Sequence, residues 1–162
     1  MPSSTFRSTA PVSQKISRLH QLLVKEKKEF EQVADHITDN ALRCTVLSLA
    51  QQNNQYAVEL SSYLKSTGTT GVPNHPLPRK KRGATKASVV LSNESGVLAF
   101  CSSNEKKIAG AYRKILQEGA LYEGLQEMIG YQLNGVLAAC MQLKLLRSLT
   151  RHYHSKHSHG IA

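Results

Sequence analysis

Apolar residues recur along this chain in alternating steps of three and four, the spacing that gathers side chains on one face of an α-helix. Four segments carry the pattern. The first sets Ile16, Leu19, Leu23, Phe30, Val33 and Ile37 on one face, with Glu26 at the position between. Ser13 is placed to cap it, with Pro11 two residues before. The short break Thr38-Asp39-Asn40 follows, and Asp39 is placed to cap a second helix. Its seam reads Leu42, Val46, Leu49, Asn53, Tyr56, Leu60, Tyr63, and it stops near Gly68. So tight a turn predicts an antiparallel αα-hairpin. The third segment runs from about Gly96 to Glu118, with Leu98, Cys101, Glu105, Ile108, Tyr112 and Ile115 in its seam, and Gly119 breaks it. The fourth repeats most regularly, through Leu125, Ile129, Gln132, Val136, Ala139, Leu143 and Leu146, and frays near His152.

Between the second and third segments lies STGTTGVPNHPLPRKKRG, residues 66–83, whose prolines and glycines forbid a continuous helix. A weaker helical stretch begins near Ala84. Two short-turned hairpins joined by one long connection (66–95) predict an all-α, antiparallel four-helix bundle over residues 13–152. Residues 1–12 read as a disordered lead-in and 153–162 as a His-rich flexible tail.

Each seam holds one polar residue near its middle: Glu26, Asn53, Glu105 and Gln132. They lie at comparable depths along their helices, so in a bundle they converge on one interior layer. A core-facing seam tolerates such groups only with hydrogen-bond partners or with a reason to pay their desolvation.

The stretch Leu49-Ala50-Gln51-Gln52-Asn53-Asn54-Gln55-Tyr56-Ala57 resembles the second helix of rubrerythrin-type ferritin-like proteins, whose pattern there is Leu-Ala-Glu-Glu-Glu-x-Glu-His-Ala. The resemblance implies ferritin-like connectivity with one long central crossover. It also implies that the polar layer corresponds to a di-metal site, built from one Glu on each of two helices and Glu-x-x-His on each of the others. Glu26 and Glu105 match the single-Glu positions. Asn53 stands where a ligand Glu would be, Tyr56 where a ligand His would be, and Gln132 is the match on the fourth helix. The sequence contains no Glu-x-x-His. From Leu19 to Leu149 the chain is similar to a bacterial branch of ferritin-like bundles known as a domain of unknown function, whose second helix is Gln-rich. Two carboxylates, two amides and a phenol are poor ligands for two irons. The layer therefore reads as a vestigial, degenerate di-iron site, kept as a polar network that fixes helix register, with no cofactor expected. The alternative is an iron- or manganese-binding protein with oxidoreductase or iron-storage activity at Glu26 and Glu105.

The 162 residues, 40% hydrophobic and 20% charged, suit one domain with a real core. No apolar run has the length of a membrane span. Together with the lack of a secretory-type leader, this predicts a cytoplasmic protein with no membrane partner. Net charge is +10, but Arg79, Lys80, Lys81, Arg82 and Lys86 form one acid-free cluster, and without it +5 remains. That cluster is the candidate for a second alternative, a DNA-associated protein. No aromatic residue interleaves with it. Cys44, Cys101 and Cys140 have no CxxC or His neighbour and read as reduced, largely buried small hydrophobes. His152, His154, His157 and His159 have chelator-like spacing on a tail without fixed geometry. His20 and His36 lie beside the first seam. No Ser/His/Asp or Cys/His set and no Gly-rich phosphate loop suggests an enzyme. Leu47 and Val58, with Leu137, Leu145 and Leu149, lie off the seams and either widen the core stripe or build the face of a homo-dimer or higher homo-oligomer. The first reading is thus a non-catalytic, self-associating protein of structural or stress-related role.

Overall fold

The computed structural model describes residues 12–68, 93–117 and 121–158. They form four α-helices and, among the described residues, no strand: α1 (Val12–Ala34), α2 (Asn40–Ser66), α3 (Glu94–Leu116) and α4 (Glu123–Ser158). None is long and apolar enough to cross a membrane. The lead-in up to residue 11, most of the long connection with its basic cluster, the break at Gly119 and His159 lie outside the described residues.

The seams predicted from periodicity face inward. Ile16, Leu23, Phe30, Val46, Leu60, Leu98, Cys101, Ile108, Tyr112, Ile129 and Val136 lose all solvent contact. Burying an aliphatic or aromatic side chain of this size stabilises by roughly 1.5–3 kcal/mol, which makes these faces the main source of cohesion. The seams drift at their ends. Leu64 rather than Tyr63 completes the buried face of α2, and Ile37 lies past the end of α1, half-buried.

The caps hold in part. The Asp39 carboxylate accepts from the Leu42 amide at 2.7 Å, as the sequence predicts, and Asn93 does the same for Gly96 at 2.7 Å. Ser13 does not cap α1, because Val12 is already helical. At the other end α4 does not stop at His152 but continues to Ser158. Nothing between the two positions breaks it: the stretch holds neither Gly nor Pro, and Ser158 Oγ donates back to the His154 carbonyl at 2.9 Å. The cysteine expectation also needs correcting. All three thiols are free, but only Cys101 is buried; Cys140 is half-buried and Cys44 is exposed. Cys44 lies two residues from both Leu42 and Val46, on the opposite side of the helix, which meets solvent.

The core is two apolar clusters rather than one. The first joins Ile16, Leu19 and Leu23 from the first half of α1 with Tyr56 to Leu64 of α2, Ile108 to Ile115 of α3 and Leu125 to Val136 of α4. The second joins Phe30, Val33 and Ala34 with Leu42 to Ala50, Val97 to Cys101, and Ala139 and Leu143. Along α1, α2 and α3, the polar residue singled out in the sequence falls between the two; on α4, Gln132 falls within the first, between Ile129 and Leu133.

Candidate functional site: the polar layer between the two cores

Glu26, Asn53, Glu105 and Gln132 are all 0% exposed. The structure therefore brings all four seam polar residues into the interior, with Tyr56 beside them at 5%. What holds them differs across the layer. On one side the hydrogen bonding is complete: the Tyr112 hydroxyl donates to Gln132 Oε1 at 2.9 Å, and Gln132 Nε2 donates to Glu59 Oε2 at 2.7 Å. That chain ties α3 to α4 and α4 to α2. Gln132 here is a relay, accepting with its carbonyl and donating with its amide, which a carboxylate could not do without a proton.

The other side is less complete. Lys107 Nζ donates to Glu26 Oε1, bridging α3 and α1 from a half-exposed position. Beside it Asn104 Nδ2 donates to Glu29 Oε2 at 3.5 Å. The remaining Glu26 oxygen, both Glu105 oxygens, both polar atoms of Asn53 and the Gln52 carbonyl have no hydrogen-bond partner among the described residues. Unpartnered buried polar atoms each cost about 1–3 kcal/mol.

Burial disfavours the charged form of both carboxyl groups. Burial pushes the Glu105 carboxyl up to about 8, and the charge of Glu26 pushes it the same way. Glu26 is also raised by burial, against which the Lys107 bond acts in the opposite sense. At neutral pH Glu105 is thus mostly a neutral acid. Replacing Lys107 by Ala should leave Glu26 buried without its cation. We expect a loss of roughly 1–2 kcal/mol at pH 7 that shrinks on acidification, because protonated Glu26 no longer needs the ammonium. Urea unfolding at pH 5 and pH 7 measures both.

Tyr56 occupies the layer for a reason the sequence did not single out. It packs onto the backbone of Gly135 so closely that a Cβ at that position would collide with its hydroxyl and lie 3.0 Å from Cζ. Gln52 Nε2 donates to the same hydroxyl at 3.4 Å. Gly135 follows Gln132 by three residues, as Tyr56 follows Asn53. A glycine inside an otherwise well-formed helix was the available signal. Lys107, Glu59 and Tyr112 are the other functional neighbours missed as partners. The first two lie off the seams, and the seam position of Tyr112 predicts only an ordinary core aromatic.

Among the described residues no group of three or more His, Cys, Asp or Glu is placed to hold a metal ion. His152, His154 and His157 all lie exposed on the last turns of α4. His20 is half-buried, its imidazole lowered by desolvation, and His36 is exposed with Nδ1 2.8 Å from the Gln32 carbonyl of its own helix. Of the off-seam apolar residues, Val58, Leu145 and Leu149 are 56–64% exposed and so do not widen the core stripe. No protein-family model, curated protein or solved structure matches the chain.

Proposed function

We propose that this chain is a ferritin-like antiparallel four-helix bundle whose interior layer serves as a polar, proton-holding framework rather than as a redox centre. The cluster membership supports the arrangement. The first half of α1 shares a core with the second halves of α2 and α3 and with the first half of α4. Helices paired in that way run α1 against α2 and α3 against α4, with the connection between α2 and α3 as the crossover.

The observation that carries the functional reading is the donor set. Where such bundles place carboxylate-rich ligands for two metals, this layer holds two seam carboxylates, one of them bonded to Lys107. The two positions where Glu-x-x-His would supply imidazoles hold Tyr56 and Gly135, and the phenol fills the space over the glycine. These residues do not fit a di-iron centre, and no redox step follows from them. The role is then non-catalytic, with the exposed Leu145 and Leu149 of α4 as the surface for self-association.

A second reading has one observation in its favour. The unpartnered oxygens of Glu26, Glu105 and Asn53 are hard donors facing one layer, and a single divalent ion such as manganese or iron would satisfy them. Elemental analysis of protein purified without a His-affinity step, before and after removal of residues 152–162, separates the two. The framework reading expects no metal beyond what leaves with the tail. One ion per chain that survives truncation and is lost in Glu26→Ala would establish the second.

A further inference from the structure

A groove of about 550 Å³ runs between α3 and α4. That volume is in the range of small-molecule sites, roughly 300–1,000 Å³. Its α4 wall is built from one helix face, with residues at steps of three and four from Leu137 to Arg151, a rise of about 21 Å. Along that length the chemistry changes. Leu137, Cys140 and Met141 make an apolar end, and Lys144, Arg147 and Arg151 make a cationic end. Lys106 of α3 stands beside Cys140, with a long apolar stem that can lie along the wall while its ammonium stays in water. No Asp or Glu lines the groove, and α4 carries none after Glu127.

This separation of apolar and cationic ends selects among occupants. A compact inorganic anion would engage the cations and leave the apolar end bare. A single-stranded nucleic acid would want stacking aromatics, and none lines the groove; a duplex would engage the cations through its phosphates and leave the apolar end bare. A second copy seated through this face would oppose cation to cation, which disfavours pairing. We propose that the groove binds an elongated anionic amphiphile of the long-chain monocarboxylate class. Its chain lies over Leu137, Cys140 and Met141, and its headgroup is held by Lys144, Arg147 and Arg151. Charge-assisted hydrogen bonds to a carboxylate, bidentate from Arg, supply the head-end selectivity.

Calorimetric titration of the full chain with laurate, kept below its micelle concentration, tests this. One saturable site per chain is expected, with dodecanol at least tenfold weaker. The double variant Lys144→Gln/Arg147→Gln should bind laurate at least tenfold more weakly while melting at the parent's temperature. Met141→Gln should also weaken binding, from the apolar end. The proposal is overturned by laurate binding that never saturates, by equal affinity for dodecanol, by inorganic phosphate binding as tightly as laurate, or by unchanged affinity in the double variant. Capture on anionic vesicles without binding of monomeric laurate would also overturn it, and would assign the surface to a membrane instead.

Discussion

Replacing Glu105 by Gln should make the protein more stable at pH 8 and should flatten the fall in its stability between about pH 4.5 and pH 8. The parent carboxyl takes its proton at about 8 when folded, against an ordinary value of 4.5. Below pH 4.5 both folded and unfolded chains hold that proton, and the stabilisation from keeping it is fully present. Above pH 4.5 the unfolded chain releases the proton and the folded chain does not. Unfolding then releases a proton, and stability declines by about 1.4 kcal/mol per pH unit until Glu105 ionises in place near pH 8. Glutamine has no proton to lose. Glu26 is raised as well and bends the parent curve the same way, and His20, lowered by burial, bends it oppositely. The difference between variant and parent is therefore the quantity to read. Denaturant unfolding across pH 4 to 9 should show the two curves crossing, with the variant above at the alkaline end. A variant less stable than the parent at pH 8 would show that the carboxylate is held by something it needs, and would favour the bound-ion reading of the layer.

The second large effect concerns two glycines in one helix. Gly130→Ala should stabilise by up to about 1 kcal/mol, the ordinary gain for alanine over glycine in a helix, because its Cβ meets nothing within 4 Å. Gly135→Ala should do the opposite and destabilise by roughly 1–3 kcal/mol, the cost of forcing atoms into a filled interior. The colliding atoms belong to the ring end of Tyr56, a stiff side chain that is 5% exposed and has nowhere to retreat. Removing the hydroxyl should restore part of the loss, so Tyr56→Phe/Gly135→Ala should be less destabilised than the sum of the single variants. Thermal melts suffice, since 1 kcal/mol moves the midpoint by about 2–4 °C in a chain of this size. A neutral Gly135→Ala would mean that Tyr56 does not rest on α4, and the account of how the layer is filled would fail.

Much of this was legible from periodicity, because a helix buried along one stripe reports that stripe in its sequence. Glu26, Asn53, Glu105 and Gln132 interrupt otherwise apolar seams, and all four are buried. Their partners were not legible. Lys107 and Glu59 sit on flanks, where a charged residue ordinarily means only solvent, and nothing local says that one reaches across to α1 and the other to α4. The end of α4 was misjudged because histidines and basic residues suggest a loose terminus, whereas none of them stops a helix; only glycine and proline do so reliably. Cys44 was misjudged because its neighbours are apolar, although its own angular position faces outward.

The two apolar clusters have a consequence for how the chain folds. Each draws residues from all four helices: Phe30, Val46, Leu98 and Leu143 belong to one, Leu23, Leu60, Ile108 and Ile129 to the other. Neither cluster belongs to a single pair of consecutive helices. The α1–α2 pair, formed first and alone, would expose half of both clusters and complete neither, and so would the α3–α4 pair. Partly assembled chains therefore gain little, and gain nearly everything at once when the second pair docks. Cooperativity here is a property of how the core is divided among the segments, and one helix pair severed from the other would carry two incomplete halves and no whole.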